Sequence, residues 1–440
     1  MITKENGLRY AKLIHVSVDN GKTENSNKVY IMEELSDGRI KCEYGRVGKA
    51  LTTEYKPSNK WDSVLKQKLS KTKGYTDVTE LLVTKEEVLD DNTTKDNKVD
   101  AIKDAIVKKL IEELMAFANK SIQKNYKVTQ EAVSEQQVNA AQDVITQISG
   151  LINIGVDIKH VNDLLLKLYT IIPRKMDNVK DHLMSHINDK DSLIVAQRLI
   201  DSEQSALDTM AGQVQLIKQQ KEAAEKAKVE SESEKTTKKK KKIEVTILDQ
   251  MGLSVEVEKD SDTLALITKL MGPNANQIKK VFKVVNSKTQ AKFDNNFSKA
   301  DIKKKRFYFH GSRNENYLNL IQAGMLIRPS CAIHTGSMFG DGAYFSSKAK
   351  KSIGYTSLRG SYWAGGVDNK AYLALFDVHV GNQKHIYKHD SSCYKINYKD
   401  LKKEGFDSVY AHGGADLIND EFVIYNTNQC TISHLIEITN

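Results

Sequence analysis

The arrangement of apolar and polar residues changes character twice along the chain. In residues 1–85, short apolar runs alternate with polar positions. Lys28-Val29-Tyr30-Ile31-Met32 and Ile40-Lys41-Cys42-Glu43-Tyr44 read as two strands around Ser36-Asp37-Gly38, a hairpin turn in which glycine accepts a positive φ. Trp61, Leu65 and Leu69, spaced by four, then predict a helix stopped by Gly74-Tyr75. After a polar interval containing Asp90, Asp91, Asn92, Thr93 and Thr94, residues 99–228 place apolar side chains every third or fourth position. Ile102, Ile106, Leu110, Leu114 and Phe117 form one such face. Val138, Ala141, Ile145, Ile148 and Ile152 form a second, and Val161, Leu164, Leu165 and Leu168 a third, ended by Pro173. No chemistry-bearing cluster lies on these faces, so an all-α bundle with a structural or regulatory role is expected. Residues 229–242 end in five lysines, Lys238 to Lys242. They read first as a solvated linker, with a nuclear import signal or a DNA-phosphate contact as the alternative. From 243 to 440 the pattern returns to short strand-like runs: Arg306-Phe307-Tyr308-Phe309, Ala371 to Phe376, and Phe422-Val423-Ile424-Tyr425. The expected class is a multidomain α+β protein: a small β-rich module, a helical bundle and a mixed α/β domain.

Composition narrows this picture. The 440 residues correspond to about three domains of ordinary size. With 40% hydrophobic and 28% charged residues and a mean hydropathy of -0.50, the chain resembles neither a membrane protein nor a wholly disordered one. No run approaches the roughly 20 apolar residues of a spanning helix, and MITKENGLRY lacks a signal-peptide core, so a cytosolic or nuclear protein without membrane partners is expected. Net charge is +9, and residues 1–85 carry sixteen basic against eleven acidic side chains, a surface suited to a polyanion. Cys42, Cys331, Cys393 and Cys430 are too scattered for a zinc knuckle or a disulfide framework, so no metal is expected. Gly21-Lys22-Thr23 and Gly48-Lys49 lack the upstream glycine of a phosphate loop, having Val16 and Glu43 at that position.

Three features of the last domain carry chemistry. The run Arg306 to Phe309 leads directly into His310-Gly311-Ser312-Arg313, putting an imidazole and a residue without a Cβ at a strand end, where backbone can approach a flat ligand. The glycine-punctuated stretch Gly336 to Ser347 includes Tyr344 and is followed by Lys351-Ser352 and Tyr355. Asp420-Glu421 opens an otherwise apolar strand, where a carboxylate needs a reason. In this order and spacing, these features resemble the catalytic domain of the poly(ADP-ribose) polymerases, ADP-ribosyltransferases of the His-Tyr-Glu type. Gly45-Arg46-Val47-Gly48, with Tyr44 in place of tryptophan, is similar to the WGR domain of break-activated members, and Leu165 to Pro173 to their regulatory helical domain.

The resemblance implies NAD+ as substrate and a reaction that passes ADP-ribose to protein acceptors, the enzyme itself included. It implies that the Gly311 backbone pairs with the nicotinamide carboxamide, aided by Ser352, and that Tyr344 and Tyr355 stack on the ring. His310 would bond the adenosine ribose, with Ser312 and Arg313 beside it. Glu421 would accept from the nicotinamide ribose and the incoming acceptor, and Lys351 would orient that acceptor. Arg46, Lys49 and Trp61 would contact DNA. Activation by DNA strand breaks follows in the same way, as does residence in the nucleus for a eukaryotic protein and otherwise in the cytoplasm with the nucleoid; an accessory partner completing the active site stays open. Ser337 and Asp341 depart from the family's tyrosine and lysine, and residues 390–414 do not resemble the acceptor-side loop of polymer-forming members. Polymer and single-unit transfer both stay open, as do a catalytically silent DNA-end-binding scaffold and a DNA-independent mono-transferase.

Overall fold

The computed structural model describes residues 2–3, 7–18, 25–81, 99–125, 133–153, 157–186, 192, 195–196, 199–200, 202–212, 214, 246–327, 338–415 and 417–440. The linker 229–242 with Lys238 to Lys242, Gly21 to Thr23, Cys331, Gly336 and Ser337 lie outside them. Contacts divide the chain into two compact units, one of residues 1–95 with 121–214, the other of residues 96–120 with 215–440.

The first unit holds an antiparallel sheet of β1 (Ile2–Thr3), β2 (Arg9–Ser17), β3 (Ser26–Glu34), β4 (Arg39–Arg46) and β5 (Thr52–Pro57), with β6 (Thr76–Asp77) pairing β2. The expected hairpin is β3–β4, and Gly38 takes φ +80° at its turn. Helix α1 (Trp61–Leu69) buries Trp61 and Val64 against Leu13, Tyr30, Met32 and Ile40. Helices α3 (Glu135–Asn153) and α4 (Ile158–Ile171) pack Val138, Ala141, Ile145 and Ile148 against Val161, Leu164, Leu165 and Leu168. Asp157 caps α4 by accepting from the Lys159 amide, and Pro173 follows its end.

Sheet and bundle were expected as separate domains, yet polar side chains of the sheet join them. Asn27 donates to the Arg174 carbonyl at 2.8 Å. The Arg46 guanidinium donates to the carbonyls of Met176 (2.7 Å), Asp177 (2.8 Å) and Asn25 (3.0 Å). This corrects two of the three expected DNA contacts. Arg46 spends its donors on internal carbonyls. Trp61 is fully buried, with the Arg9 guanidinium 4.8 Å from its ring, and presents no face to a base. Lys49 does stand in solvent, 3.9 Å from Asp177.

The second unit contains a five-stranded sheet, ordered β7 (Leu253–Val257), β8 (Ile278–Asn286), β15 (Cys430–Thr439), β11 (Lys370–His379) and β9 (Lys305–His310). A four-stranded sheet runs β10 (Ala343–Phe345), β14 (Glu421–Ile424), β13 (Ser408–Ala411) and β12 (Gln383–Ile386). A bridge between Phe309 and Ser346 stitches the two sheets together. The strands expected at 306–309, 371–376 and 422–425 are β9, β11 and β14, the last ending one residue earlier.

Helix α2 (Ala105–Asn125) departs from the expected division at residue 99. Up to Lys120 it belongs to the second unit. Val107, Leu110, Ile111, Leu114 and Ala118 share one core with Leu253, Phe282, Tyr308, Phe345 and Phe422. Ile106, expected on the inward face, is 43% exposed, because the buried stripe turns on Val107 and Ile111 instead. Among the described residues, no helix is long and apolar enough to cross a membrane, no group of three or more His, Cys, Asp or Glu side chains is placed to hold a metal ion, and Cys42, Cys393 and Cys430 are buried free thiols.

Candidate active site

The seam between the two sheets positions the predicted site residues. Strand β11, interior to the five-stranded sheet, is buried along most of its length and pairs with β9 so that Ala374 faces His310. This pairing fixes His310 at the strand end. The Phe309–Ser346 bridge brings the end of β10 alongside, and β10 pairs with β14 with Tyr344 opposite Val423 and Phe345 opposite Phe422. Glu421 is the first residue of β14, opposite Ala411 of β13. Backbone register alone therefore gathers three residues scattered over more than a hundred positions of sequence.

The imidazole of His310 is held by its neighbour. Its Nδ1 lies 3.1 Å from the Tyr344 carbonyl, which can only accept, so Nδ1 carries the proton and Nε2 is left as an acceptor. Burial holds the imidazole below its ordinary pKa of 6.5, which keeps it neutral near pH 7. The Tyr344 hydroxyl donates to the Gly340 carbonyl at 2.7 Å and accepts from the Phe339 amide at 3.0 Å, which locks the ring. Gly340, at φ +79°, lies so close to the Ile396 carbonyl that a Cβ would sit 2.0 Å from its oxygen.

Gly311 is a second place where only glycine fits, since a Cβ there would lie 1.8 Å from the Ser352 carbonyl oxygen. Ser352 is buried on the helix Ala349–Ile353, and its hydroxyl donates to the Phe309 carbonyl at 3.2 Å. Tyr355 follows, its ring 6.0 Å from that of Trp363 and nearly parallel to it. Burial, aided by the charge of Glu421, pushes its phenol up to about 12, so the ring is neutral. Lys351 forms a close ion pair with Glu421, the two side chains 13% and 14% exposed, and also reaches the Asn419 carbonyl at 3.3 Å. The amide of Ser312 donates to the Tyr317 hydroxyl at 3.1 Å, and Arg313 reaches the Ala364 carbonyl at 3.3 Å. The structure thus brings His310, Gly311, Tyr344, Lys351, Ser352, Tyr355 and Glu421 to one seam, with Ser312 and Arg313 at its border. Lys49, Arg46 and Trp61 belong to the other unit.

Sequence reasoning missed several supporting residues. Asn314 is fully buried, donating to Asp368 at 3.1 Å and to the Lys370 carbonyl at 3.0 Å, and its amide donates to Ser357 at 2.9 Å. Its place just after Arg313 was a usable signal. Tyr317 and Trp363 gave none, because only folding sets them behind Ser312 and Tyr355. The groups that converge here can clamp a planar amide-bearing ring, accept from hydroxyls, and put a carboxylate beside developing positive charge.

Comparison with known proteins agrees with this geometry. Residues 261–440 match the family model described as the poly(ADP-ribose) polymerase catalytic domain. The chain is 35% identical over 164 residues to the putative poly [ADP-ribose] polymerase-like 100L of Invertebrate iridescent virus 6, covering 85% of that protein and 36% of this chain. The chain belongs to the poly(ADP-ribose) polymerase family. It is an ADP-ribosyltransferase, and NAD+ is its substrate. The protein mono-ADP-ribosyltransferase PARP4 of Mus musculus is 30% identical over 143 residues, covering 30% of this chain and 7% of that protein. The poly [ADP-ribose] polymerase 1 of Gallus gallus is 21% identical over 337 residues, covering 70% of this chain and 30% of the relative.

Proposed function

We propose that the seam around His310, Tyr344 and Glu421 binds one NAD+ and transfers its ADP-ribose to a protein acceptor. The observation carrying this reading is the contact at Gly311: with no Cβ, the strand end lies against Ser352, leaving backbone free to pair with a carboxamide. Tyr344 and Tyr355 hold the nicotinamide ring between neutral phenols. Neutral His310 accepts at Nε2 from an adenosine ribose hydroxyl, with Ser312 and Arg313 alongside.

As the bond between the nicotinamide nitrogen and ribose C1′ breaks, its electron pair leaves with nicotinamide and positive charge develops on the ribose. Glu421 accepts from the ribose hydroxyl and lends this charge an electrostatic partner in a largely dry site. It then accepts the proton of the incoming nucleophile. Lys351, paired with Glu421, fixes the carboxylate and borders the acceptor path.

The first unit acts in this reading as a DNA-break sensor of WGR and regulatory helical type. Its support is the basic excess of residues 1–85, with Lys49 exposed. Arg46 fastens the sheet to residues 176–177, so strain on the sheet is felt by the helical segment. Broken DNA and protein acceptors, the chain included, are the partners of this reading, an accessory protein at the acceptor side is a further one, and the nucleus or nucleoid is the corresponding location. A second reading, transfer of single units without DNA, is favoured by the similarity to the mouse mono-ADP-ribosyltransferase.

Labelled NAD+ incubated with the protein, with and without nicked or broken DNA, tests both. A DNA-stimulated smear or band that fades steeply as salt rises is expected. Labelling equal in both arms would reject the sensor and leave the second reading, and no labelling would reject the transferase site.

A further inference from the structure

We propose that Glu113, on a helix remote in sequence from the catalytic motifs, is a positioning residue for the adenosine half of bound NAD+. The inference rests on the site assignment made under Proposed function. One oxygen of the Glu113 carboxylate accepts from the Tyr372 hydroxyl at 2.8 Å and pairs with the Lys370 ammonium. Positions 370 and 372 lie on the same side of β11, so a single side chain from α2 grips the strand at two neighbouring points.

From those two points, contacts run to both ends of the segment Ser312–Asn314. The fully buried Tyr372 ring meets the buried Tyr317 ring edge-on, 5.9 Å away at 62°, and the Tyr317 hydroxyl accepts from the Ser312 amide. The Lys370 carbonyl accepts from Asn314. Arg313 lies between these anchors. Docking of α2 does not need this carboxylate, because Val107, Leu110, Ile111 and Leu114 already bury its apolar face. What Glu113 adds is a fixed direction for the Tyr372 hydroxyl and Lys370, and through them a fixed backbone at Ser312 and Asn314.

The test compares Glu113→Ala, Glu113→Gln and Tyr372→Phe with the unaltered chain, measuring KM and kcat for NAD+, inhibition by benzamide and the melting temperature. Benzamide occupies only the nicotinamide half. In Glu113→Ala the KM for NAD+ is expected to rise about three- to tenfold, as for a lost charged hydrogen bond acting through neighbours, with kcat within about twofold. Benzamide inhibition should be unchanged. Glu113→Gln retains an acceptor for Tyr372 and should recover part of the loss, and Tyr372→Phe should reproduce much of it with the aromatic packing intact. A lower melting temperature with unchanged KM, or equal weakening of NAD+ and benzamide, would overturn the positioning role. NAD+ cleavage by the unaltered chain with unchanged KM in all three variants overturns this inference alone. Absence of cleavage in the unaltered chain overturns the site assignment with it.

Discussion

Replacing Glu421 by glutamine probes the mechanism most directly, because it keeps the volume of the side chain and removes its charge. The residue begins β14, where flanking pairs set the backbone: Ala411 on β13 and the Phe345–Phe422 pair with β10. Its carboxylate is mostly shielded, as is the ammonium of Lys351, so solvent does little to screen what the charge contributes. Hydrogen bonds to charged groups are worth about 1.5 to 3 kcal/mol, and every 1.36 kcal/mol is tenfold in rate. Glu421→Gln should therefore lower kcat by about ten- to a hundred-fold if one such bond is specific to the transition state. The assay is nicotinamide release at saturating NAD+, with KM and the melting temperature as controls. Lys351→Met in parallel separates loss of the carboxylate from loss of the pair. Turnover of Glu421→Gln equal to that of the unaltered enzyme, with the fold intact, would refute the role assigned to this carboxylate.

Two further outcomes follow from geometry and titration. Gly311→Ala forces a methyl group against the Ser352 carbonyl, so the strand end must shift. NAD+ cleavage should fall at least as far as in Glu421→Gln and benzamide binding should weaken, both checked on folded protein, whereas normal benzamide affinity would contradict the close approach. Desolvation holds the imidazoles of His310, which is half-buried, and His434, which is buried, below the ordinary pKa of 6.5. The unfolded chain therefore binds more protons than the folded one once pH drops below about 6.5, and stability present above that value is lost as pH falls through the folded-state values. Melting curves should be flat from about pH 8 to 6.5 and shift down as pH falls below about 6.5. Melting independent of pH over that range would contradict the burial.

Local chemistry made part of this legible in sequence. His310-Gly311, Tyr344 and Glu421 each sit on or beside a short strand of strong apolar pattern, so both the strand and the unusual residue within it could be read. The β3–β4 hairpin was readable because Gly38 supplies a backbone conformation few residues adopt. Periodicity gave the existence of α2 but not its partner, since the spacing of apolar residues fixes a face and is silent about what covers it. It also chose Ile106 over Val107, a shift of one residue that the shared positions Leu110 and Leu114 could not resolve. For Trp61, apolar spacing indicated an inward side chain, as the structure has it, and the DNA contact expected from family resemblance fails on burial. Glu113 escaped notice altogether: nothing in a helix that carries both lysines and glutamates distinguishes one glutamate until β11, more than two hundred residues later, comes to lie beside it.

The shared core of α2 and the catalytic sheets has a practical corollary for anyone dissecting the enzyme. Severing the chain just before residue 243 would look natural from domain resemblance, yet it would strip Val107, Leu110, Ile111 and Leu114 from the fragment and lay bare a greasy patch where they had been. Such a fragment should clump. One in which residues 96–120 are joined to the catalytic domain without the first unit, or one mixed with a peptide spanning 99–120, should stay dispersed.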